Sequence, residues 1–219
     1  MNKLLGALGN MVFADRMKEW CNTINGPYRR PFAPNTEWSN ASVFVVGTNP
    51  ATPMRDEFDS FDQYWSGLTV DPRLYNLRYS AAHSGKASKS TKNARHLLDE
   101  LTAQNVLVTN VVWYPVSRKR NIPRDEWTFG RQWLNELIDF VCPRAVFCHG
   151  ADAEDFGRSL NPDLDRYRPP SEQNEPNDEG MLVQAYHHFS GQGLKKGAKF
   201  QPERDLPIFA SAICRHAGT

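Results

Sequence analysis

Asn49, Asn110, His187 and His188 carry the chemistry that is most visible in this chain. Each stands where an apolar run stops. Asn49 follows Val43-Phe44-Val45-Val46-Gly47-Thr48, Asn110 follows Val106-Leu107-Val108-Thr109, and the two histidines follow Met181-Leu182-Val183-Gln184-Ala185-Tyr186. An asparagine amide donates and accepts at once, which suits the edge of a base or another amide-bearing ring. A histidine can donate to an oxygen on which negative charge develops, or act as acid or base. Ser190, two residues after the histidine pair, reads as a hydroxyl for a phosphate or a backbone group, since no nucleophile elbow and no Ser-His-Asp order accompanies it. His187 and His188 could recruit a metal, but adjacent strand residues point to opposite faces and no nearby carboxylate completes a set. Neither a metal nor a cofactor is expected.

The elements that must hold these groups are strands buried on both faces. Val43 to Val46 is a run of β-formers without polar alternation, as in a parallel sheet. Gly47 permits a turn or a close approach, and Pro50, which lacks an N–H, ends the ladder. Open α/β sheets bind ligands at the carboxyl ends of their strands, which is where Asn49 falls. Val106 to Trp113, Arg144 to Gly150 and Met181 to Tyr186 repeat the pattern. An amide inside so apolar a run as that around Asn110 must be hydrogen-bonded or costs about 1–3 kcal/mol, so it serves either the fold or a ligand.

Helices are expected between the strands: about 2–24, where Leu4, Leu8, Met11 and Val12 share a face; about 92–103, capped by Ser90 or Thr91; 126–141, with Trp127, Trp133, Leu134 and Leu137 on one side; 151–159; and 206–217. The alternation predicts an α/β fold, three layers α/β/α around a central, mostly parallel four-stranded sheet, in one domain over residues 1–219. The polar stretch from Asn161 to Gly180 is expected to be a loop between ordered and mobile. Residues 53–67 carry Phe58, Phe61, Tyr64 and Trp65 among acidic residues, which fits either a pocket wall or a short helix turned into the core. Residues 80–92 are rich in Ser and Lys and lead into a helix start, which suits a phosphate or a solvated loop.

Lys plus Arg number 26 against 25 Asp plus Glu, a balance that neither demands nor excludes nucleic acid. Cys21, Cys142, Cys148 and Cys214 show no C-x-x-C pair, so free thiols in a reducing compartment are expected, with a cytoplasmic location. No stretch is long and apolar enough to span a membrane.

Taken in order, these motifs resemble the uracil-DNA glycosylase superfamily across about residues 40–215. Gly47-Thr48-Asn49-Pro50 is similar to its first motif in the G-x-N-P form of the mismatch-specific and single-strand-selective branches. Thr109-Asn110 is similar to the asparagine that reads the pyrimidine edge, and His187-His188-Phe189-Ser190 to a degenerate second motif, usually His-Pro-Ser. The resemblance implies a monofunctional DNA glycosylase, acting as a monomer without metal or cofactor, that flips a nucleotide out of the stack and hydrolyses its N-glycosidic bond. It implies that Asn49 positions the water and that His188 or His187 stabilises the leaving base. Gly47, Thr48 and Ala51 would line the pocket, Phe61 would stack on the base with Phe58 and Tyr64 behind it, and Asn110 would bond its edge. Ser190 and Gln192 would hold a flanking phosphate, Lys89, Ser90, Arg118, Lys119 and Lys195 would track single- or double-stranded DNA, and Leu194 would fill the vacated stack. Ala51, standing where the strict uracil-specific branch has a bulky Tyr, implies room for a 5-substituent. The substrate would then be uracil or a mismatched or modified pyrimidine, met in base-excision repair or in defence against modified foreign DNA. Two alternatives stay open: a non-catalytic nucleic-acid-binding protein of the same fold, and an enzyme acting on free nucleobase or nucleoside.

Overall fold

Strand β1 (Val43–Gly47) divides its side chains between two apolar clusters, Phe44 and Val46 on one side and Val43 and Val45 on the other. A strand with both faces covered belongs in the middle of a sheet between two helical layers. In the computed structural model, which describes residues 2–82, 88–194, 196–197 and 199–218, with side chains from Val12 onward, β1 does lie there. The strands run β2 (Val106–Asn110), β1, β3 (Ala145–His149), β4 (Leu182–Tyr186), and every pairing is parallel. The register puts Gly47 beside Asn110, Val46 beside Cys148 and His149 beside Tyr186, so the four carboxyl ends finish level.

One face is covered by α1 (Asn2–Cys21), α2 (Phe61–Thr69), α3 (Pro72–Ala82), α5 (Arg124–Val141) and α6 (Ala151–Gly157), through residues such as Met17, Tyr64, Tyr75, Leu134 and Phe156. The other is covered by α4 (Lys89–Leu98) and α7 (Pro202–Ala217), through Leu97, Leu206, Phe209 and Ile213. The molecule is the expected three-layer α/β/α arrangement, with a sheet that is parallel throughout the described residues.

Local chemistry moves several boundaries. Helix α4 starts earlier than expected because Ser88 is its N-cap and accepts from the Thr91 N–H; Ser90 sits in the first turn and caps nothing. Helix α7 starts at Pro202, a first-turn position where the missing N–H costs no hydrogen bond. Helix α3 was not expected: Tyr75 is its only buried residue, so it carries almost no apolar periodicity. The polar stretch 161–180 is tied down rather than loose. Buried Gln173 donates to the carbonyls of Asp165, Arg168 and Ala185 and accepts from the Ala185 N–H, which clamps the stretch onto β4.

Three rings expected at a substrate wall belong to the core. Phe58, Phe61 and Tyr64 are all buried, and the Tyr64 ring lies within 5.2–6.0 Å of Tyr28, Phe58, Phe61 and Tyr75. The density of aromatics in 53–67 is thus explained by packing of α2 and α3 on the sheet, each tilted or edge-on pair adding to area burial.

Candidate active site

Gly47 is the point on which the site closes. A Cβ at this position would lie 2.8 Å from His149 Nε2 and 2.9 Å from Asn110 Oδ1, so only a residue without a side chain lets these two groups converge. Asn110 ends β2 and His149 ends β3, and the level register of the parallel strands brings both to the end of β1.

Asn49 lies just beyond, held by its amide. Its Nδ2 donates to the carbonyls of Pro50 (3.0 Å) and Val116 (2.9 Å). With both N–H bonds spent on backbone, Oδ1 is the atom available to accept from a water or a substrate hydroxyl. Thr48 donates through Oγ1 to Asp152 Oδ2 at 3.0 Å, and Asp152 also pairs with Lys119. The chain after β1 is thereby anchored to the start of α6.

His188 approaches from β4, its ring centroid 5.5 Å from that of His149. Gly150, at φ +90°, lets the chain pass the His188 ring: a Cβ there would meet His188 at 3.4 Å. The Ser190 N–H donates to His188 Nδ1 at 3.2 Å, and Ser190 Oγ lies 2.7 Å from the same atom. An Nδ1 that accepts leaves the proton of a neutral imidazole on Nε2, which is then a donor. Burial lowers the His188 pKa, with Asp152 opposing, so the ring is neutral at pH 7. His187 faces elsewhere, edge-on to Tyr167 and Phe200, and its pKa is also lowered, first by burial and then by Arg166. The two histidines lie just past the end of β4 and point to different surroundings, and only His188 joins the Gly47–His149 cluster.

His149 was not singled out from the sequence. Its pKa is lowered to about 3 by burial, with His188 adding to the effect. Its ring stacks on Phe189 at 4.0 Å, and Phe189 in turn stacks on Phe147. Its Nδ1 is sealed from solvent and has no hydrogen-bond partner among the described residues. Phe189 therefore has a structural role, as the surface on which a neutral His149 rests, and the Asn93 amide fixes the same turn by donating to the Phe189 carbonyl at 2.6 Å. Asp152 was likewise overlooked. The signal available for both was position: each follows or ends the third apolar run, where strand-end residues are worth reading.

The remaining residues scatter. Ala51 is exposed on the loop after Asn49. Ser190 is spent on His188, and its Oγ accepts from the Gln192 N–H at 3.4 Å. Leu194 is half-buried, Gln192 and Arg118 are exposed, and Lys119 is committed to Asp152 and to the Trp127 face. Lys89 lies 5.8 Å over the Phe200 ring. Lys195 is outside the described residues.

Fold and site together define an α/β protein that presents two amides and two neutral imidazoles at the carboxyl ends of a wholly parallel four-stranded sheet. The family model of the uracil DNA glycosylase superfamily matches residues 34–206, and the chain belongs to that superfamily. Its members are typically DNA glycosylases, hydrolases of base-excision repair. No curated protein matches the sequence.

Proposed function

We propose that this protein is a monofunctional DNA glycosylase that binds DNA, flips out a uracil or a mismatched or 5-modified pyrimidine, and hydrolyses its N-glycosidic bond, on the G-x-N-P pattern of Gly47-Thr48-Asn49-Pro50. The observation that carries the reading is the convergence over Gly47 of Asn110 Oδ1 and His149 Nε2, with His188 alongside. In the reaction the C1′–N bond breaks and its electron pair leaves with the base. The Nε2–H of neutral His188 donates to the oxygen on which that charge gathers. Asn110 holds the pyrimidine edge. Asn49, oriented by Pro50 and Val116, accepts from the water that adds to C1′, and the proton released by that water neutralises the departing base. An amide cannot take up the proton, so this step relies on the sugar cation rather than on a general base.

Single-turnover incubation with labelled single- and double-stranded oligonucleotides containing uracil, thymine mismatches or 5-modified pyrimidines, followed by scoring of abasic sites, tests the reading. His188→Ala, which removes a stabilising hydrogen-bond donor, is expected to slow excision by roughly 10²–10³-fold, and Asn49→Ala, which removes the acceptor that positions the water, by up to about 10²-fold. Wild-type rates in both variants would refute it.

A further inference from the structure

His149 ends β3 with a ring whose packing does not require its polarity. It stacks on Phe189 at 4.0 Å with 17° between the planes, and Phe189 lies on Phe147 at 6.2 Å and 12°. The Asn93 amide pins the Phe189 carbonyl at 2.6 Å, so the support under His149 is fixed from α4. A phenyl ring would stack there equally well. An imidazole in its place costs free energy that nothing in the fold offsets: neither nitrogen makes a hydrogen bond among the described residues, and Nδ1 is sealed from solvent.

The surroundings settle where the proton sits. Burial lowers the His149 pKa to about 3, so at pH 7 the ring is neutral and carries one proton. On Nδ1 that proton would be a sealed donor without an acceptor. On Nε2 it points to the space over Gly47 that Asn110 Oδ1, an acceptor, also borders: a Cβ on Gly47 would lie 2.8 Å from Nε2 and 2.9 Å from Oδ1. A lone pair on Nε2 would face the lone pairs of that oxygen, so the proton belongs on Nε2. His149 is half-buried with Nδ1 inside, which leaves the Nε2 edge as the polar part open to a ligand. His188, whose Nδ1 accepts from the Ser190 N–H, also carries its proton on Nε2, and the two ring centroids are 5.5 Å apart. Two neutral N–H donors therefore stand side by side, one from the end of β3 and one from the turn after β4.

We propose that His149 is a second catalytic donor, whose Nε2–H hydrogen-bonds one oxygen of the departing pyrimidine while His188 bonds the other. The inference rests on the glycosylase reading. When the C1′–N1 bond breaks, its electron pair stays with the base and is shared among N1, O2 and O4, so one donor covers only part of the charge. Neither imidazole gives up its proton. The proton released by the attacking water ends on the base, which leaves neutral. A donor fixed before the charge develops needs no reorganisation during the reaction, and the stack on Phe189 and Phe147 fixes this one.

Single-turnover excision of uracil and of 5-fluorouracil from the same oligonucleotide, with DNA affinity measured in parallel, tests the role. Fluorine makes the departing anion a weaker base, which needs less help from a donor. His149→Phe keeps a ring on Phe189 and removes the N–H. It is expected to slow uracil excision by roughly 10²–10³-fold, to slow 5-fluorouracil excision by a clearly smaller factor, and to leave DNA affinity unchanged. His149→Gln, which restores an N–H without the ring, is expected to recover part of the loss. If the phenylalanine variant does not fold, His149→Leu makes the same comparison between the two bases. Equal slowing of both bases would assign His149 a structural role and overturn the proposal, as would wild-type rates in His149→Phe; either result leaves the glycosylase reading standing. A wild type that excises neither base, nor any other pyrimidine tested, removes that reading and this proposal with it.

Discussion

Replacing Gly47 by alanine should separate catalysis from folding. The added Cβ would lie 2.8 and 3.0 Å from His149 Nε2 and Cε1 and 2.9 Å from Asn110 Oδ1. Non-bonded carbon contacts are comfortable from about 3.5 Å, so both side chains must retreat by about 0.6 Å. Overpacking of this kind costs about 1–3 kcal/mol, and the restriction of the unfolded chain by alanine returns about 0.4–1 kcal/mol. The net destabilisation should be about 1–2 kcal/mol, which leaves the protein folded at 25 °C. The effect on chemistry should be larger. A displacement approaching 1 Å at a positioning group costs up to about 10²-fold, so excision by Gly47→Ala is expected to fall by about 10–100-fold. Gly157→Ala is the control. Its Cβ would meet Leu164 Cδ2 at 2.5 Å and Cys148 Sγ at 2.9 Å, on the face of the sheet covered by α1, α5 and α6, away from the site. Urea unfolding should show losses of similar size in the two variants, and single-turnover excision should fall only in Gly47→Ala. If Gly47→Ala excises at the wild-type rate while losing stability like Gly157→Ala, the crowding of Asn110 and His149 over Gly47 has no functional meaning.

Two further outcomes follow from the buried charges and imidazoles. Glu126→Ala strands Arg29 beside Trp20 and should cost about 3–5 kcal/mol in urea unfolding, the usual penalty for breaking a buried pair from one side; excision per folded molecule should hold at temperatures where the variant remains folded. His149, His187 and His188 all have pKa values below the ordinary histidine value, His149 at about 3. Below about pH 6.5 the unfolded chain binds protons that the folded one refuses, so stability must fall as pH falls, by up to about 1.4 kcal/mol per pH unit for each such histidine. For His149 the fall continues toward pH 3. Urea midpoints measured from pH 8 to 4 should show this slope, and His149→Phe should reduce it; an unchanged slope would mean that His149 is not held neutral.

The strands and the ends they present were legible along the chain because a parallel sheet covered on both faces demands uninterrupted apolar runs, and a polar residue closing such a run is conspicuous. Asn49, Asn110 and the histidine pair were found on that basis, and the three-layer arrangement followed from alternation of the runs with helical segments. Helix α3 left no comparable trace, because one buried tyrosine in eleven residues makes no pattern. The aromatic segment 53–67 was ambiguous for the opposite reason: rings serve a core and a pocket equally well, and the packing of Tyr28 and Tyr75 around Tyr64 decided for the core.

Residue types and run lengths therefore settled which elements form and which polar groups stand at their ends. What they left open is pairing at a distance. Of two adjacent arginines, Arg29 finds a glutamate 97 positions away on α5 and Arg30 the Tyr75 hydroxyl on α3, a distinction that exists only once both helices have packed beside the loop after α1. Of two adjacent histidines, His188 reaches the cluster and His187 packs against Tyr167, a choice made by the turn after β4, which Ser190 and Asn93 hold in place. His149 becomes a site residue only because β3 ends level with β1 at a glycine. Composition and periodicity are local quantities, whereas a site is a coincidence of chain ends in space, which only the assembled sheet brings about.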